Sequence, residues 1–104
     1  MTTVSLFKVK GRLCGFQIKG HTGYAQAGED IVCAALSFLS ITCANALEQI
    51  AKVIPDTDTD EETGYLKVQL EEHLLNKQTD TIFQVFHLGV QQLSDSYPEY
   101  IRIL

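Results

Sequence analysis

Cys33 and His21 are the two side chains in this sequence whose chemistry and spacing suit covalent catalysis. A thiolate attacks a carbonyl carbon, and an imidazole takes the thiol proton and later hands it to the leaving amine. The two lie twelve residues apart, and glycines punctuate the stretch at positions 20, 23 and 28. Three glycines in nine residues argue for a mobile loop, residues 20–29, able to turn back and deliver the imidazole. Asp30 stands where a long helical pattern begins and is the expected N-cap, with Ile31, Val32 and Cys33 in the first turn. There the helix dipole and unsatisfied N–H groups favour negative charge on sulfur, and the same groups are candidate donors to an oxyanion. Asp30 is also placed to orient His21, although capping alone accounts for it. Ser37 follows Cys33 by one turn on the same helical face, a candidate to bond substrate or backbone.

The plainer reading of a cysteine in an apolar element is packing. Cys14 sits on the apolar face of a strand pattern and belongs to the expected core, and Cys43 recurs at helical spacing. His73, beside Glu71 and Glu72, is expected to be exposed; His87, beside Phe86, is expected to be packed or to face a second subunit. Three cysteines without metal-ligand spacing point to free thiols in a reducing cytoplasm, with no metal or cofactor required.

Around these residues the pattern places strands at Thr3–Val9 and Leu13–Lys19, joined by a turn at Lys10-Gly11-Arg12. A helix is expected from Asp30 to about Val53, apolar nearly all round in its first half and therefore largely buried, with Pro55 ending it. Residues 56–62 read as an acidic loop; they lack the Gly and Glu that a calcium-binding loop needs at its sixth and twelfth positions. Alternation gives a third strand at Tyr65–Leu70. A second helix is expected at about Asp80–Ser94, capped by Thr79 or Asp80, and a fourth strand at Glu99–Leu104. The order ββαβαβ implies a single small α+β domain over residues 1–104, with helices packed on one face of a four-stranded sheet.

The 104 residues suffice for one domain, and a composition of 45% hydrophobic and 20% charged residues is that of a globular protein. A net charge of −5 with no basic stretch argues against direct nucleic-acid binding. The opening residues look like a strand rather than a secretory signal, and no run approaches the roughly 20 apolar residues of a membrane span.

The joint pattern Gly20-His21-Thr22-Gly23-Tyr24 … Gly28-Glu29-Asp30-Ile31-Val32-Cys33-Ala34-Ala35-Leu36-Ser37 resembles the signature of the ribosomal-processing cysteine protease family, Prp. The likeness extends to the opening hairpin, the Gly-Tyr-Leu strand and the helix containing Phe-His-Leu-Gly, and so covers nearly the whole chain. Thr22 departs from the Ala commoner at that position. The resemblance implies a cysteine endopeptidase with His21 and Cys33 as catalytic pair, Asp30 and Ser37 in support, and Gly20, Gly23 and Gly28 in a loop that moves on substrate binding. It implies as substrate the precursor of large-subunit ribosomal protein twenty-seven, cut after an aromatic, Phe-Phe-like motif during ribosome maturation. It also implies a homodimer. The alternatives are a module that binds the ribosomal precursor without cutting it and a redox-sensing thiol protein with Cys33 as sensor.

Overall fold

The computed structural model describes residues 1–26 and 28–104; Ala27, inside the loop expected to be mobile, lies outside the described residues. Strands β1 (Thr2–Val9) and β2 (Arg12–Lys19) form the expected antiparallel hairpin around Lys10-Gly11. With β3 (Asp56–Asp60), β4 (Tyr65–Gln69) and β5 (Ile101–Ile103) they make a mixed sheet in the order β3-β4-β2-β1-β5. Only β1 and β5 run parallel; the other neighbours are antiparallel.

The sheet therefore has five strands rather than the four expected. The added one, β3, is the segment Asp-Thr-Asp-Thr-Asp that reads as a loop because it holds no apolar residue. Its pairing with β4 is made by the backbone, and all five side chains are exposed. An edge strand studded with carboxylates also resists pairing with another chain.

Paired residues share a face of a sheet. Val4 opposite Ile18 and Phe16 opposite Val68 thus line one side, and all four are buried. They join Val32, Leu36, Cys43 and Leu47 of α1 (Ile31–Gln49) with Phe83, Phe86 and Val90 of α2 (Lys77–Ser96) in a single core. Phe16 and Phe86 stack across the sheet–helix boundary with ring centroids 3.9 Å apart. Both helices cover the same face, as the element order implies. At their contact Gly89 leaves room for Leu39, whose Cδ2 would stand 2.7 Å from a Cβ at that position.

The helices differ from expectation in burial, in apolar length and in their bounds, α1 ending at Gln49 rather than near Val53. Only one stripe of α1 is buried, and Ile31, Ala34, Ala35 and Phe38, expected to face the core, are exposed. A single sheet covers only one side of a helix, so an all-round apolar sequence leaves a bare face. By length and apolarity α1 also reaches what a membrane span requires, contrary to the sequence expectation, although its inner stripe is spent on the sheet. The second helix begins at Lys77, three residues earlier than expected and five before its apolar stripe opens at Ile82. Asn76 caps it, accepting from Thr79 N–H at 2.9 Å, while the Thr79 hydroxyl accepts from Asn76 N–H at 2.8 Å. Thr79 is thus part of the capping box without being the cap.

Candidate active site

The start of α1 is built as its sequence implies. Asp30 is extended (φ −81, ψ 99) and its Oδ1 accepts from the N–H of Cys33 at 2.8 Å. Its other oxygen reaches into the preceding loop, accepting from the Thr22 hydroxyl and from Tyr24 N–H at 3.1 Å. Burial pulls the Asp30 carboxyl upward, but hydrogen bonds from Thr22 and from the backbone N–H groups of Cys33, Ala25 and Tyr24 outweigh it. The group is held below its ordinary value. Among the described residues it makes no hydrogen bond to His21; it ties the loop beside His21 to the helix start instead. The Cys33 N–H is consumed by this cap, and Ala34 N–H donates to Asp30 C=O at 3.0 Å. Neither donor is free for an oxyanion in this arrangement, which narrows the role expected for the first turn.

His21 is exposed, and its Nε2 donates to the carbonyl of Glu62 at 2.9 Å. A carbonyl oxygen only accepts, so this nitrogen bears the proton and the neutral ring keeps its lone pair on Nδ1. The peptide before it is also held, since the Thr2 hydroxyl donates to Gly20 C=O at 2.9 Å. Gly20, Gly23 and Gly28 all have positive φ (87, 74 and 88), so the loop bends where the sequence supplies glycine. Between the last two, Tyr24 stands edge-on to Tyr97 and Tyr100, with centroids 5.7 and 5.2 Å away.

His21, Cys33 and Ser37 are walls common to two adjoining cavities of about 350 and 530 Å³. Ile18, Leu36, Ile41 and Leu66 give the smaller one an apolar lining, with Asp60 and Glu61 also on its wall. Cys33 is half-buried and Ser37 exposed. No hydrogen bond joins the Cys33 thiol to the imidazole among the described residues. The other two thiols are buried elsewhere: burial pushes Cys43 up to about 12 and raises Cys14 despite a backbone hydrogen bond that lowers it, so both disfavour the thiolate. All three cysteines are free.

Residues 1–102 match the family model described as cysteine protease Prp. The chain belongs to the Prp family. A ribosomal processing cysteine protease Prp from Staphylococcus aureus is 26% identical over 94 residues, covering 90% of this chain and 88% of the relative. Its counterpart from Bacillus subtilis is 22% identical over 94 residues, covering 88% of this chain and 84% of the relative. Among solved structures, a Streptococcus mutans protein superposes with a TM-score of 0.87 at 33% identity, covering 100% of this chain and 94% of the other. Staphylococcus aureus Prp carrying a covalently linked product peptide gives a TM-score of 0.90 at 26% identity, covering 99% of this chain and 97% of the other. The Prp resemblance read from the Gly-His and Asp-to-Ser motifs is therefore right, as are the α+β domain and the enzyme class, a cysteine protease.

Within this Prp chain the sequence reasoning missed the turn between β3 and β4. Glu62 acts through its carbonyl, which every residue possesses, and so leaves no compositional mark. Gly64 did leave one, a glycine opening a strand, but its partner across the fold was not legible. Thr22, a departure from the family pattern, is buried, and its hydroxyl is bonded to Asp30.

Proposed function

We propose that this protein removes the N-terminal extension of large-subunit ribosomal protein twenty-seven, cutting after an aromatic, Phe-Phe-like motif, with Cys33 as nucleophile and His21 as general base. The observation that carries this reading is that His21 and Cys33 wall one cavity with an apolar lining, a shape suited to an aromatic side chain beside the reacting carbonyl. Support for the substrate comes from the relatives, which are named as ribosomal processing proteases, one of them solved with a substrate peptide.

In this mechanism His21 accepts the Cys33 proton and the sulfur attacks the scissile carbonyl. The tetrahedral species collapses to a thioester as His21 protonates the departing amine. Water, deprotonated by His21, then releases the acid product. Asp30 keeps the loop beside His21 attached to the helix that carries Cys33, and Ser37 offers a hydroxyl on the cavity wall. Gly20, Gly23 and Gly28 let the loop move when substrate enters, bringing thiol and imidazole together, a gate that spares other proteins. The chemistry draws on no cofactor or metal.

The exposed apolar face of α1, with Phe38 and Ile41 74% and 57% exposed, supports a homodimer. Three unpaired thiols fit a cytoplasmic protein. The test is to incubate the protein with a precursor peptide carrying paired phenylalanines and weigh the products. Cleavage after the second phenylalanine is expected; an intact peptide that nevertheless binds would replace the protease reading with that of a binding module.

A further inference from the structure

The β3–β4 turn touches the imidazole in two independent ways. One is polar: the Glu62 carbonyl accepts from His21 Nε2 at 2.9 Å. The other is steric: Gly64 (φ +68) lies so close that a Cβ there would stand 2.8 Å from the carbonyl carbon and oxygen of Gly20 and 3.2 Å from His21 Cε1. The turn is itself braced, with Glu62 N–H donating to Asp60 Oδ1 at 3.0 Å and Gly64 N–H to Glu61 C=O at 3.4 Å. Asp30, the carboxylate that caps α1, is committed to Thr22, Tyr24 and Cys33.

We propose that this turn is the positioning element of the catalytic imidazole: the Glu62 carbonyl holds His21 as the Nε2–H tautomer with Nδ1 as the base, and Gly64 permits the approach. The inference rests on His21 being the general base, as proposed above. It gives a main-chain carbonyl the duty that a buried carboxylate performs in other hydrolases, fixing tautomer and ring orientation. When Nδ1 takes the thiol proton the ring becomes cationic, and the same Nε2–H donates more strongly, so the carbonyl also favours the imidazolium.

Three measurements test it. In protein with 15N-labelled histidine, NMR of the neutral His21 ring is expected to show the proton on Nε2; a proton on Nδ1 overturns the proposal. Replacing the Glu62–Thr63 amide by an ester, through semisynthesis, weakens the carbonyl as an acceptor while changing no side chain. The expected result is a fall in kcat on the order of tenfold with KM nearly constant. The acidic limb of the kcat/KM profile should also move to lower pH, because the imidazolium loses stabilisation. Unchanged kcat and an unmoved limb overturn it. Gly64→Ala should reproduce the kcat loss if it folds; if it does not, the ester and the NMR spectrum still decide. His21→Ala separates the two levels. Cleavage surviving in that variant sinks the assignment of His21 as base, whereas a dead His21→Ala beside an unaffected ester sinks the positioning role alone.

Discussion

Thr22 and Asp30 are joined side chain to side chain, so the carboxylate that starts α1 also holds the residue beside His21. One oxygen caps the Cys33 N–H and the other serves the loop. Helix start and histidine loop are thereby tied at one point, and the two oxygens can be separated by mutation.

Asp30→Asn keeps an acceptor for the cap, since Asn is as good an N-cap as Asp. Its amide nitrogen, however, faces Tyr24 N–H, and two donors repel. Stability should fall by about 1 kcal/mol, the value of a lost hydrogen bond, while kcat/KM falls on the order of tenfold or more as the loop loses its tie. Thermal melts beside peptide cleavage rates check this; wild-type cleavage in Asp30→Asn would show that the tie is irrelevant to turnover.

Acid should act through the same group. Because the folded state holds Asp30 below its ordinary value, its ionised form stabilises the fold. That contribution is complete above the unfolded carboxylate pKa of about 3.9 and is lost as the pH falls through the lower folded value. The stability gap between wild type and Asp30→Asn should therefore shrink as the pH drops below that point. Denaturant titrations at neutral pH and in acid measure the gap, and a constant gap contradicts the linkage.

Two glycines outside the site should respond very differently to alanine. At Gly15 a Cβ would collide with the Val68 carbonyl oxygen and stand 2.9 Å from Gln69 Cα, both backbone atoms of the neighbouring strand. Gly15→Ala must push β2 and β4 apart and should cost about 3 kcal/mol, the upper range for overpacking. Gly89→Ala meets only the Leu39 side chain, at 2.7 and 2.9 Å, which can rotate away. The helix propensity of Ala offsets the strain by about 1 kcal/mol, leaving a loss well under that of Gly15→Ala. Equilibrium unfolding of both variants gives the comparison.

Phe38→Asp removes the most exposed large apolar side chain of α1, at 74%. Sedimentation at micromolar concentration should find the wild type dimeric and this variant monomeric, with unfolding of the monomer still cooperative. A wild type that sediments as a monomer rules out the dimer.

The sequence discloses this fold where side chains report their surroundings. Alternation of Cys14, Phe16 and Ile18 marked β2, and the Gly-His and Asp-to-Ser motifs marked the helix start and its loop. It is silent where the backbone does the bonding. The strand β3 is paired by peptide groups beneath side chains that all face water. The hold on His21 is a carbonyl, and the bare face of α1 carries large apolar residues, as its buried face does. Apolarity said that α1 needs covering; only the tertiary arrangement shows which side the sheet supplies.

The most direct test of the account is to trap the thioester. Wild-type protein mixed with a paired-phenylalanine precursor peptide, quenched in acid within one turnover and weighed intact, should gain the mass of the N-terminal fragment less one water. Digestion should place that mass on the peptide containing Cys33, and Cys33→Ala should show neither adduct nor cleavage. Cleavage by Cys33→Ala, or an adduct on Cys14 or Cys43, would contradict the assignment of the nucleophile.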